Sequence, residues 1–201
     1  MRIVCLDLEG VLVPEIWIAF SEAAGIPELR RTTRDEPDYD KLMRFRLDLL
    51  EKNNLKLPDI QKVIGTMAPL PGAVDFTRTL REKTQLIILS DTFEQFAKPL
   101  MAKLGYPTLF CNSLETGKDG SITGYKLRQK EGKKHAVGAF KTLNLEVFAA
   151  GDSFNDLAMI QEASGGCLFR APQKIRDDYS HIPCVDTFDD LLGQIDKFLE
   201  S

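Results

Sequence analysis

The sequence predicts an α/β fold: a parallel sheet with helices on both faces, interrupted by a helical insertion. Three observations predict it. The short apolar runs Ile3-Val4-Cys5-Leu6, Leu86-Ile87-Ile88-Leu89 and Val147-Phe148-Ala149-Ala150 lack polar alternation, as strands buried on both faces do. From about residue 70 onward such runs alternate with segments of helical spacing, which argues for crossover connections and a parallel sheet. The stretch 14–69 carries helical patterns only, so the first strand stands isolated ahead of an insertion. The predicted architecture is a Rossmann-like core of residues 1–13 and 70–201 with a helical cap of residues 14–69.

Taken in order, the first strand gives way at Pro14 to a helix with a broad apolar face, Trp17, Ile18, Phe20 and Ala24, ended by Gly25 and Pro27. Residues 28–38, polar and of mixed charge with a proline, read as a loop. Leu42, Phe45, Leu49 and Met43, Leu47, Leu50 fall at helical spacing, and Leu57-Pro58 opens another helix. Pro69 to Gly72 punctuates the return to the core. A helix over 73–83, the second strand and a helix that Pro99 should bend follow. Pro107–Leu114 reads as a strand, and Asp119-Gly120 as the turn of a small two-stranded flap projecting from the core. A helix over 132–143, a strand ending at Asp152, a helix from Asn155, a last short strand over 165–171 and an amphipathic helix over 188–199 complete the chain.

Composition narrows the function. With 201 residues, 43% hydrophobic and 28% charged, the chain is long enough for one full core and a small extra domain. The net charge of −4, without a basic block, argues against a nucleic-acid partner. No apolar run approaches the ~18 residues of a membrane span, and no leader pattern precedes the first strand, so the expectation is a cytoplasmic protein. Cys5, Cys111, Cys167 and Cys184 are widely spaced, which fits buried hydrophobes better than a zinc site or disulfides. Oligomeric state is not legible.

Chemistry gathers at strand ends, where ligands of open α/β sheets bind. Asp7 and Glu9 follow the first strand two positions apart and so face one side, with Gly10 letting the backbone turn close to a ligand. Ser90 and Asp91 end the second strand; a serine hydroxyl with the first amides of a helix at about Phe93 would hold an anion. Asp152, Asn155 and Asp156 follow Gly151 within five positions, more oxygen ligands than capping requires, and suit a hard divalent cation. Lys133 opens a helix, an unfavourable place for a cation unless an anion sits beside it. Together these are the parts of a phosphoryl-transfer site. Asp7 is the expected nucleophile, and Mg2+ is expected on Asp7, Asp152 and the Glu9 backbone carbonyl. Ser90, the Asp91–Thr92 region and Lys133 would hold phosphate, Glu9 would be acid and base, and Asn155 and Asp156 would orient water or substrate from behind. His135 and His181 have no metal-spaced partner and read as structural.

These motifs resemble the four of the haloacid dehalogenase-like (HAD) phosphatases: Asp7-Leu8-Glu9-Gly10-Val11 the first, Leu89-Ser90-Asp91-Thr92 the second, Lys133 the third and Gly151-Asp152-Ser153-Phe154-Asn155-Asp156 the fourth. They span nearly the whole chain, and the insertion after the first motif is similar to the cap of the phosphoserine phosphatase branch. In that branch a Glu just after the first motif binds the substrate amine and a cap Arg binds its carboxylate; Glu15 and Arg46 match those positions. The resemblance implies L-phosphoserine as substrate. The chain departs from the usual first motif at Glu9, where the second acid is ordinarily Asp. It shares that variant with a bifunctional type that also transfers the phosphoryl group to L-homoserine. Two other readings remain: a phosphatase for another small phosphomonoester, and a phospho-accepting regulatory module.

Overall fold

A computed structural model describes residues 1–32, 35–36 and 38–201. The expected loop over 28–38 lies partly outside the described residues; within them, Pro27–Arg30 forms one 3-10 turn.

Among the described residues seven strands form one sheet in the order β4-β3-β2-β1-β5-β6-β7. β1 (Arg2–Leu6) lies centrally, paired in parallel with β2 (Gln85–Phe93) and β5 (Glu146–Gly151). β3 (Thr108–Thr116), β6 (Gly165–Phe169) and β7 (Cys184–Val185) extend the parallel array. β4 (Ile122–Lys126) pairs antiparallel with β3 at the edge. Because β1 is followed in sequence on one side and β5 lies on its other side, the strand order reverses at β1, and the crevice above its carboxyl end is a ligand position by topology.

The alternation of β1 explains the two-layer cover. Val4 and Leu6 face one apolar cluster, Ile3 and Cys5 the other. The first cluster packs α4 (Ala73–Lys83), α5 (Glu94–Lys103) and α9 (Phe188–Glu200) through residues such as Phe76, Phe96 and Leu191. The second packs α6 (Gly132–Thr142), α7 (Leu157–Glu162) and α8 (Gln173–Asp178) through Val137, Ile160 and Ile175.

Between β1 and α4 lie α1 (Ile16–Ala24), α2 (Tyr39–Lys52) and α3 (Leu57–Thr66). Their buried faces, including Phe20, Met43, Leu50 and Ile60, join the first cluster rather than forming a core of their own. The contacts are specific as well as apolar. The Leu57 amide donates to the Gly120 carbonyl at 3.0 Å, so the tip of the β3–β4 hairpin sits on the N-terminus of α3.

Three expectations need correction. The hairpin is not a separate projection: its first strand is the outer half of β3, and β4 is the sheet's edge. β2 runs on through Phe93, three residues past its expected end at Ser90, and α5 follows at once from Glu94. The last strand is not β6, because α8 and β7 follow it.

Candidate active site

The carboxyl ends of β1, β2 and β5 and the start of α6 bring Asp7, Ser90, Asp91, Asp152 and Lys133 into one cavity of about 110 Å3. Glu9, Glu15, Arg46 and Asn155 line it too, while Asp156 sits behind its wall, fully buried.

The floor is a buried charge cluster. Lys133 Nζ lies 2.9 Å from Asp7 Oδ1 and 2.7 Å from Asp156 Oδ1, with Asp91 at 3.7 Å. This explains a cation in the first turn of α6: carboxylates supply the anion its position calls for. Burial opposes the charge on Lys133, but Asp156, Asp7 and Asp91 outweigh it and hold the ammonium well above the ordinary lysine range. Asp7 shows the converse. Burial, then Asp156 and Asp152, push its carboxyl well above the usual range, and Lys133 offsets only part of this. One lysine among three buried carboxylates leaves the cluster short of positive charge.

Carboxylate oxygens of Asp7, Asp152 and Asp156 lie within 4.8 Å of one another. A buried all-oxygen donor set with surplus negative charge fits Mg2+. The third acid of this trio is Asp156, which was expected only to orient water or substrate from behind. Asp156 is also locked from behind, accepting from the Asp152 and Ser153 amides at 3.1 Å each. Two glycines make the approach possible. A Cβ on Gly10 (φ 79°) would lie 2.6 Å from the Asp152 carboxylate, and one on Gly151 would overlap Asp156.

Asp7 Oδ1 is committed twice, to Lys133 and to the Leu8 amide at 2.7 Å. Among the described residues, Oδ2 is the less engaged of its two oxygens. Ser90 Oγ accepts from the Thr92 amide at 3.2 Å, so its own proton stays available. The Asp91 and Thr92 amides beside Ser90 belong to β2, which runs through Phe93, and not to the N-terminus of α5, which starts at Glu94. Asn155 Nδ2 donates to Asp91 Oδ2 at 2.8 Å, tying the loop after β5 to the end of β2.

Glu9 points to the inserted helices. Its Oε2 accepts from the Ile16 amide, the first of α1, at 2.8 Å. Glu15, the residue at the N-cap of α1, makes no side-chain capping bond. Glu9 therefore caps α1 across the chain and leaves the Glu15 carboxylate to the cavity. Burial and the nearby Glu15 push the Glu9 carboxyl up to about 7.

Arg46 is 6% exposed. Its guanidinium stacks 4.4 Å over the Trp17 ring, Nη2 donates to the Arg31 carbonyl at 2.6 Å, and buried Nε has no partner among the described residues. Burial lowers its pKa to about 10, so it stays charged.

Sequence reasoning missed Trp17, Thr32 and Tyr39 as lining residues, while Thr92, expected beside the phosphate, lines the cavity. A signal existed for one of them: Tyr39, Leu42 and Arg46 stand at i, i+3 and i+7 and share one face of α2.

Comparison with known proteins agrees with this geometry. A haloacid dehalogenase-like hydrolase family model matches residues 1–164. Phosphoserine phosphatase ThrH of Pseudomonas aeruginosa is 55% identical over 191 residues, covering 95% of this chain and 93% of that protein. A phosphoserine phosphatase of Pseudomonas syringae pv. tomato is 54% identical, covering 98% and 83%. Among solved structures, a substrate-bound phosphoserine phosphatase complex superposes with TM-score 0.77 at 20% identity, over 98% of this chain and 97% of the other. An apo phosphoserine phosphatase does so with TM-score 0.76 at 22% identity, over 92% and 94%. The matched motifs, the parallel sheet and the charge cluster above β1 converge on one assignment: the chain belongs to the haloacid dehalogenase-like hydrolases.

Proposed function

We propose that this hydrolase is an Mg2+-dependent phosphatase of L-phosphoserine working through an aspartyl-phosphate on Asp7, and that the phospho-enzyme also passes its phosphoryl group to L-homoserine. The observation that carries the reading is the joining of two unlike sites in one cavity. Asp7 with Lys133 suits a phosphoryl group, and Glu15 with the unpartnered edge of Arg46 suits an amino-acid head. The names of the two Pseudomonas relatives point the same way.

In this reading the inserted residues 14–69 form a cap over the cavity. Asp7 Oδ2 attacks phosphorus as the P–O bond to serine breaks, and Glu9 gives its proton to the departing oxygen. Lys133 and the Ser90 hydroxyl hold the phosphoryl oxygens, while Asn155 steadies Asp91 beside them. Glu9 then takes a proton from water, whose oxygen attacks phosphorus and restores the Asp7 carboxylate. Homoserine, with the same ammonium and carboxylate as serine, would occupy the vacated head site and offer its hydroxyl instead. Asp7, Asp152 and Asp156 would hold Mg2+, together with the Glu9 backbone carbonyl, and a bound ion would neutralise charge on the phosphoryl group.

A product assay tests this. Phosphoserine with Mg2+ should release phosphate over many turnovers, EDTA should stop it, and added homoserine should divert part of the phosphate into phosphohomoserine. Phosphorylation of the protein without multiple turnover would mark a regulatory module instead. Turnover of aryl phosphates but not phosphoserine would mark another small phosphomonoester as the substrate.

A further inference from the structure

Tyr39 opens α2 and lines the cavity on the same helix face as Leu42 and Arg46. Its ring is fixed by an edge contact with Tyr125, centroids 5.7 Å apart. Its hydroxyl is far less committed. The hydroxyl donates to the Asp91 carbonyl at 3.3 Å, long for a bond between two oxygens. That carbonyl already accepts from Asn112 Nδ2 at 3.0 Å, so the fold does not need the phenol there. Its contact with Asp91 and its place on the helix face that carries Arg46 set the phenol between the phosphoryl end of the cavity and the Arg46 end.

An amino-acid head brings a carboxylate and an ammonium. Arg46 suits the first and repels the second. The ammonium has three protons to donate. The Glu15 carboxylate can accept one or two of them, and Glu9 Oε2 is taken by the Ile16 amide. That leaves room for a further acceptor on this side, and among the described residues none donates to the Tyr39 hydroxyl, whose lone pairs can serve.

We propose that the Tyr39 hydroxyl is a specificity-determining contact that accepts a hydrogen bond from the substrate's α-ammonium. This rests on the phosphoserine reading above and deepens it by giving the ammonium a second contact beside Glu15.

The test is Tyr39→Phe, which keeps the ring, its packing on Tyr125 and the Asn112 bond. kcat/KM is measured with Mg2+ for phosphoserine, phosphoethanolamine (amine without carboxylate), phosphoglycolate (carboxylate without amine) and p-nitrophenyl phosphate (neither). Loss of one hydrogen bond to a charged group should lower the ratio for phosphoserine over p-nitrophenyl phosphate about tenfold. Phosphoethanolamine should fall with phosphoserine, mainly through KM, and phosphoglycolate should track the aryl ester. Equal losses on all four substrates would mean that Tyr39 acts on the phosphoryl group or on the fold, and would overturn the proposal. Wild-type preference for phosphoserine that survives intact in Tyr39→Phe overturns the Tyr39 contact alone. A wild-type protein with no such preference overturns the phosphoserine reading and this contact with it.

Discussion

At the scale of residues, the site depends as much on an absent side chain as on those present. Gly10 holds φ at 79°, and any Cβ there would lie 2.6–2.7 Å from the Asp152 carboxylate atoms. Gly10→Ala therefore carries two penalties. Forcing left-handed backbone on alanine costs about 1–2 kcal/mol, and Asp152 must also leave its place opposite Asp7. The expected outcome is a drop in phosphatase activity of roughly 100-fold or more, the scale of a misplaced catalytic group, with weaker Mg2+ binding by titration calorimetry. Wild-type Mg2+ affinity in this variant would show that Asp152 is not needed where the structure puts it. The sequence made Gly10 visible as a turn residue, but not the carboxylate waiting beside it, since that contact joins positions 142 apart in the chain (152 − 10 = 142). The same limit hid the pairing of Lys133 with Asp156 and the reach of Glu9 to Ile16. Residue types and strand ends announced which groups have chemistry to do. Which oxygen faces which donor was decided by the folding of distant segments together.

Among the elements, the long ones were legible and the short ones were not. β1, β2 and β5 are continuous apolar runs, and α2 and α9 carry clear helical stripes, so pattern alone finds them. α8 has six residues and β7 two, too few for any period to show. The hairpin was misplaced because its polar outer half looks independent, whereas β3 carries it on from the sheet. Pro99 shows how an element-level flaw becomes a joint. Lying inside α5, it has no N–H for the Gln95 carbonyl four residues earlier. Gln61 of α3 fills the vacancy, its Nε2 donating to Gln95 O at 3.0 Å. Gln61→Leu should then strand that carbonyl and cost about 1–3 kcal/mol by denaturant unfolding. In a Pro99→Ala background, where the helix can satisfy Gln95 itself, the cost should shrink. An undiminished cost in the double variant would show that Gln61 stabilises by another contact.

For the whole molecule, two features govern stability together. The inserted helices share the apolar cluster of the sheet, so insertion and sheet should unfold in one cooperative transition. That fold also buries a surplus of acid, and the sign of its pH dependence follows. Glu9 moves from 4.5 to about 7 on folding. The native state therefore binds more protons than the unfolded chain between those values, and stability falls as pH rises through the window. Asp7, also raised, acts in the same direction. Lys133, raised well above the ordinary lysine range, stays charged throughout the window. The exposed Glu146 and Asp186 carboxyls are lowered, so their contribution is lost only at more acidic pH and is small at a solvated surface. Metal-free protein should accordingly melt at a lower temperature at pH 8 than at pH 5. Mg2+ at about 100 times its Kd should add about 2.7 kcal/mol, about 5–10 °C for a chain of this length. Protons compete with the cation for Asp7, so that gain should be largest at pH 8 and shrink toward pH 5. Calorimetric scans with EDTA and with Mg2+ at both pH values, on wild type and on Glu9→Gln, separate the contributions. Glu9→Gln should flatten the metal-free slope and keep the Mg2+ gain. A metal-free melting temperature that instead rises from pH 5 to pH 8 would mean that the buried acids are already compensated, and that the trio of Asp7, Asp152 and Asp156 does not call for a cation.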